Sequence, residues 1–131
     1  MGEEWIKMYK GVYDLNAEIV RFYNVYGEGE LVGSHMAAVI GLWRGQVKKN
    51  YPITIVGDGE QRRDFTHVDD IVDGLIKIAF GDEKHEDAWE LGTGFNYSLN
   101  EVADMFIKKF NCVKVYMSNE KGNYRDYAFR I

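Results

Sequence analysis

The chain has 131 residues, enough for one domain with a modest core. Apolar residues make up 46% and aromatics 15%, which excludes a disordered polymer. A formal net charge of −5, with "VKK" at 47–49 as the longest basic run, excludes a generic binder of nucleic acid or anionic membrane.

Residues 3–13 carry Trp5, Met8, Tyr9, Val12 and Tyr13 at helical spacing, which predicts an amphipathic helix. "AEIVRF" (17–22) reads as a strand, and "YNVYGEGELVG" as the loop after it. A helix is predicted over 34–47, with Ser34 as N-cap and Met36, Ile40, Trp43 and Val47 on one face. Pro52 precedes a strand at 53–56. After the charged stretch "GDGEQRRDFTH" comes a clear helix with Val68, Ile71, Val72, Leu75, Ile76 and Ala79 as its stripe. Asp69 and Asp70 fall in its first turn, where the helix dipole favours carboxylates. "AWELG" (88–92) reads as a short strand, and "SLNE" (98–101) as a capping box opening the last helix. "CVKVYM" (112–117) alternates as a strand, and a polar tail follows. Helices and strands alternate throughout, so an α/β fold is expected: a single domain over 1–131, with a small sheet of four or five strands flanked by helices.

Cys112, the only cysteine, excludes an internal disulfide and reads as a small core residue in a reducing, cytoplasmic protein. No stretch reaches the roughly 18 apolar residues a membrane span needs. The N-terminal segment shows no signal-peptide pattern.

Candidate chemistry is sparse. "GEGELVG" has the spacing G-x-G-x-x-x-G, which is not the dinucleotide fingerprint. "GTG" (92–94) reads as a turn, and His67 and His85 as hydrogen-bonded structure and surface respectively. Ser34 and His35 are helix neighbours that point apart, and no metal-ligand spacing is present. Arg62 and Arg63 are the exception. A guanidinium is a planar fork of donors matched to phosphate oxygens, and ligands gather at the carboxyl edge of α/β sheets. Ion pairing with Asp64, Asp69 or Asp70 is the competing reading, and the two are compatible.

Three blocks taken together are more specific. "RFYNVYG" (21–27), "ITIVGDGEQRRDFTHVDDIVDG" (53–74) and "WELGTGFNYSLNEVADMF" (89–106) resemble, in order and spacing, the nucleotide-sugar epimerases and dehydratases of the extended short-chain dehydrogenase/reductase family, with UDP-hexose 4-epimerases and dTDP-glucose 4,6-dehydratases the nearest. The resemblance covers nearly the whole chain. It implies that Asn24 and Arg63 bind the diphosphate of a UDP-, dTDP- or GDP-linked sugar, that Phe22 and Tyr23 lie near the nicotinamide and the sugar, and that the strand ending at Val56 passes beside the base. In "KGNYRDYA", Arg125 matches the second arginine of the family's R-P-G-x-x-R segment, while Glu120 and Lys121 stand where its leading Arg-Pro would. Family members use NAD, bound by a Rossmann half with G-x-x-G-x-x-G, and a Y-x-x-x-K pair. Neither motif is present, since Tyr9 and Lys10 are adjacent. The resemblance places residue 1 just after the catalytic lysine. The expectation is a substrate-binding part that binds no NAD by itself, is inactive alone, and self-associates or docks a Rossmann-half partner. A stand-alone nucleotide-sugar binding or protein-interaction module is the alternative.

Overall fold

Trp43 has no exposed surface, and the fold is built around it. The computed structural model describes residues 1–34 and 36–118. Arg125 and the rest of the tail therefore lie outside the described residues, as does His35. Helices α1 (Gly2–Tyr13), α2 (Val39–Lys48), α3 (Val68–Phe80) and α4 (Leu99–Phe110) alternate with strands β1 (Val20–Phe22), β2 (Val25–Tyr26), β3 (Ile53–Val56), β4 (Arg62–Arg63), β5 (Thr66–His67), β6 (Trp89–Leu91), β7 (Tyr97–Ser98) and β8 (Lys114–Met117). The α/β class follows directly.

The strands do not form the one small sheet expected from sequence. Among the described residues they form four two-stranded ladders: β1–β6, β2–β5 and β3–β8 parallel, and β4–β7 antiparallel. Four of the strands are only two residues long. They are interrupted by residues in left-handed conformation, such as Asn24 (φ 38°) and Gly94 (φ 78°), which turn the chain before a ladder can spread.

β3 lies in the centre of the core, with Ile53, Thr54 and Ile55 all buried. α2 covers it through Ile40 and Trp43, and α4 through Leu99, Val102 and Ala103. Polar groups in this core are paired, as burial requires. Trp43 Nε1 donates to the Thr54 carbonyl at 2.8 Å, while Gln46 accepts from Thr54 N and donates to its hydroxyl. Cys112 packs half-buried against the same cluster.

Two helices start as the sequence predicts. Ser98 and Glu101 complete the capping box of α4, and His67 caps α3 by accepting from the Asp69 amide at 3.3 Å. The start of α2 differs. Ser34 is not its N-cap: its hydroxyl accepts from Met36 N in a local turn, and the helix begins only at Val39. Met36 stands exposed rather than on the buried face. Gly33 (φ 68°) forces the break, and its backbone packs so closely on Gly45 that a Cβ there would lie 2.8 Å from it.

Candidate functional site

β1 and β6 run parallel and end together at Phe22 and Leu91. Their carboxyl edge is where an α/β fold offers groups to a ligand. Phe22 and Tyr23 leave β1 half-exposed at this edge. Burial, and then the negative charge of Glu90, push the Tyr23 phenol above its ordinary value. Asn24 follows in left-handed conformation, tolerable for Asn, and delivers the chain into β2. β2 pairs with β5 through Val25 and Thr66, which brings this segment beside the charged hinge.

Within the hinge the two arginines have opposite surroundings. Arg62 is committed: Nη2 lies 3.0 Å from Glu101 and donates to the Asn96 carbonyl at 2.9 Å. The Ser98 amide and the Arg62 charge hold Glu101 below the ordinary carboxylate value. Arg63 donates only to the carbonyl of Arg62, and among the described residues no carboxylate lies within ion-pair distance of it. Pairing of Arg63 with Asp64, Asp69 or Asp70 is therefore not what is found. Asp69 lies 3.5 Å from His67.

Asp64 faces another way. Its carboxylate accepts from Thr93 N (3.1 Å), Thr93 Oγ1 (2.7 Å), Gly94 N (2.9 Å) and Thr66 Oγ1 (3.3 Å). Burial alone would raise its pKa, but these donors hold it below the ordinary value. The turn they hold leaves β6 and rests against Tyr23, whose ring is 3.8 Å from where a Cβ on Gly92 would stand. Val56 closes β3, half-buried, and its carbonyl accepts from Gln61 in the hinge at 3.2 Å.

The structure thus gathers Phe22, Tyr23 and Asn24 with the turn at 92–94 and the hinge bearing Arg63. Sequence reasoning missed the Asp64–Thr93–Gly94 latch. The signal available was "RRD" ahead of a "GTG", a carboxylate and a donor-rich turn with no other partner. A separate cleft of about 620 Å³ is lined by Tyr26, Phe65, His67, Tyr97, Arg44 and Lys109, among others, and by none of Phe22, Tyr23, Asn24, Val56, Arg63 and Asp64. The glycine-rich loop at 27–33 does not fit a dinucleotide. It follows a two-residue strand, and α2 starts six residues past Gly33 with no side-chain cap. Among the described residues, no group of three His, Cys, Asp or Glu side chains could hold a metal ion, and no helix is long and apolar enough to cross a membrane.

Residues 1–92 match the family described as the NAD dependent epimerase/dehydratase family. A candidate UDP-glucose 4-epimerase of Methanocaldococcus jannaschii is 36% identical over 106 residues, covering 80% of this chain and 33% of that protein. An epimerase of Methanothermobacter thermautotrophicus superposes with a TM-score of 0.83 at 28% identity, over 98% of this chain and 41% of its own. The UDP-N-acetylglucosamine 4-epimerase of Methanobrevibacter ruminantium, solved in complex with UDP-N-acetylmuramic acid, superposes with a TM-score of 0.81 at 27% identity, over 92% and 39%. The chain spans about a third of the length of the curated relatives it matches.

Proposed function

The chain belongs to the NAD dependent epimerase/dehydratase family, and from that premise we propose that it is the substrate-binding part of a nucleotide-sugar epimerase of the 4-epimerase kind. Its ligand is the diphosphate of a UDP-, dTDP- or GDP-linked sugar. The observation that supports this is the charge arrangement of the hinge: Arg62 and Asp64 are both occupied, while among the described residues no carboxylate lies within ion-pair distance of the exposed Arg63. Arg63 holds the diphosphate bidentately, and the Asn24 amide adds a neutral donor. Phe22 and Tyr23 flank the sugar, and Val56 the base. Arg125, outside the described residues, is a further phosphate contact in this reading. NAD supplies the family's hydride chemistry. The G-x-x-G-x-x-G and Y-x-x-x-K motifs that would bind it and move the proton are absent from these 131 residues, so this chain alone binds without turnover. Cytoplasmic location belongs to the same reading, and the lone thiol fits it.

Calorimetric titration with UDP-, dTDP- and GDP-sugars tests this. One series should bind, and Arg63→Ala should weaken it by about 10- to 100-fold, as expected for one lost charge-assisted contact of about 1.5–3 kcal/mol. Absence of binding to any of the three by the unmutated chain would refute the reading.

A second reading, an interaction module, is favoured by α1. The helix contributes no buried residue. Its polar side faces the body, through Glu3 with Arg21, Lys7 with Asp87, and Lys10 with Glu18. Trp5, Met8, Tyr9, Val12 and Tyr13 lie on the opposite side, each 45–69% exposed. An amphipathic helix docked by its polar side presents its apolar stripe to something else. A second copy of the chain is the partner proposed, with a Rossmann-half polypeptide as the competing outcome.

A further inference from the structure

We propose that Asp64 is a positioning residue that sets the sugar end of the site, separately from the diphosphate end beside it; this rests on the nucleotide-sugar reading. The geometry is specific. One carboxylate takes four donors from two segments, Thr93 and Gly94 in the turn after β6 and Thr66 in β5. The arrangement tolerates nothing larger than glycine at 92, since a Cβ there would lie 2.8 Å from Asp64 Oδ2. The latched turn begins beside Tyr23, the side chain assigned to the sugar: a Cβ on Gly92 would stand 3.8 Å from its ring. Arg63, one residue before Asp64, contributes nothing to the latch. Loss of the latch therefore frees the turn behind Tyr23 and leaves the guanidinium in place.

Charge makes the two ends respond in opposite directions. Asp64→Asn retains the shape, but its NH2 meets a backbone N–H where an acceptor is needed, so the turn is released. The same change removes a negative charge next to Arg63, which favours a diphosphate. Thr93→Val removes one donor and leaves the charge untouched.

The experiment titrates UDP-glucose and UDP into the unmutated chain and both variants, with amide spectra recorded on each. If a dTDP- or GDP-sugar is the series bound, that pair replaces them. Asp64→Asn should weaken the nucleotide sugar about tenfold while leaving the nucleotide diphosphate unchanged or up to about threefold tighter. Thr93→Val should weaken the sugar form alone, with chemical-shift changes centred on Gly92, Gly94 and Tyr23. Equal weakening of both ligands in both variants would mean a general loss of structure and would overturn the positioning role while leaving the binding reading intact. Failure of the unmutated chain to bind any pair would overturn both.

Discussion

The apolar stripe of α1 permits a quantitative test of self-association. With side chains of roughly 150–250 Å² each for the aromatics and somewhat less for Met and Val, the observed exposures amount to roughly 500 Å² of apolar surface on one helix face. Two copies packed stripe to stripe would bury about 1,000 Å², just under the roughly 1,200–2,000 Å² of stable specific interfaces. The expectation is thus a reversible dimer with a Kd in the micromolar range or weaker. Trp5→Lys removes the largest ring and places a charge in the contact. It should raise the dimer Kd at least tenfold, about 1.4 kcal/mol or more. The fold should be nearly indifferent, because Trp5 is 56% exposed and α1 has no buried residue; surface substitutions of this kind stay within about 0.5 kcal/mol. Sedimentation velocity across a concentration series reads the first quantity, and urea unfolding at a concentration well below the Kd reads the second. A monomer at millimolar concentration would refute the docking argument. So would a large loss of fold stability in Trp5→Lys, since that would mean the stripe packs inward.

Two further predictions concern the fold itself. Asp64 and Glu101 have folded pKa values below their ordinary 3.8 and 4.5, so the stability they add is fully present above those values and is lost as pH falls through the folded ones. Thermal midpoints should hold between pH 7 and 5 on this account and drop below about pH 4, with a shallower drop in Asp64→Asn; an equal acid slope in the variant would contradict it. Glycines 41 and 11 both sit in helices but should respond in opposite senses. A Cβ at Gly41 would lie 2.2 Å from the Leu31 carbonyl oxygen, so Gly41→Ala should cost about 1–3 kcal/mol. Gly11 has open space around it, and Gly11→Ala should stabilise by about 0.5–1 kcal/mol. Chemical denaturation of the two variants reads both signs.

Much of this fold was legible where a local rule decides the outcome. α3 and α4 begin at the expected residues because cap and stripe coincide there: Ser98 with Glu101, and His67 ahead of Asp69 and Asp70. α2 was misplaced at its start because Ser34 is as good a turn former as it is a cap. The deciding factor, close approach of Gly33 to Gly45, is a long-range contact that no window of sequence shows. The expected single sheet failed for a related reason. Alternation of helices and strands fixes the class, but how far a ladder extends depends on which neighbours reach its edges. The stripe on α3 illustrates a third limit. Periodicity identifies its apolar face correctly, yet only Ile71 is buried while Val72 and Ile76 stand about half exposed. A stripe tells that a surface seeks cover, not whether this chain supplies it.

The hinge shows why composition alone was ambiguous about Arg63. Two arginines and three aspartates within the nine residues 62–70 satisfy an ion-pair reading and a phosphate reading equally well. What separates them is direction. In β4 successive side chains alternate between faces, so Arg62 and Arg63 cannot share partners, and the pairing of β4 with β7 sends Arg62 toward Asn96 and Glu101. Asp64, one step further, meets the turn from β6, and its carboxylate is occupied by two backbone N–H groups, of Thr93 and Gly94, and by the hydroxyls of Thr93 and of Thr66 in β5. Among the described residues Arg63 is left with a single side-chain bond, to its neighbour's carbonyl. Exposed on β4 and with no carboxylate among the described residues within ion-pair distance, its planar fork is open to an anion. That asymmetry between adjacent arginines, rather than the density of charge, is what argues for a diphosphate at this edge.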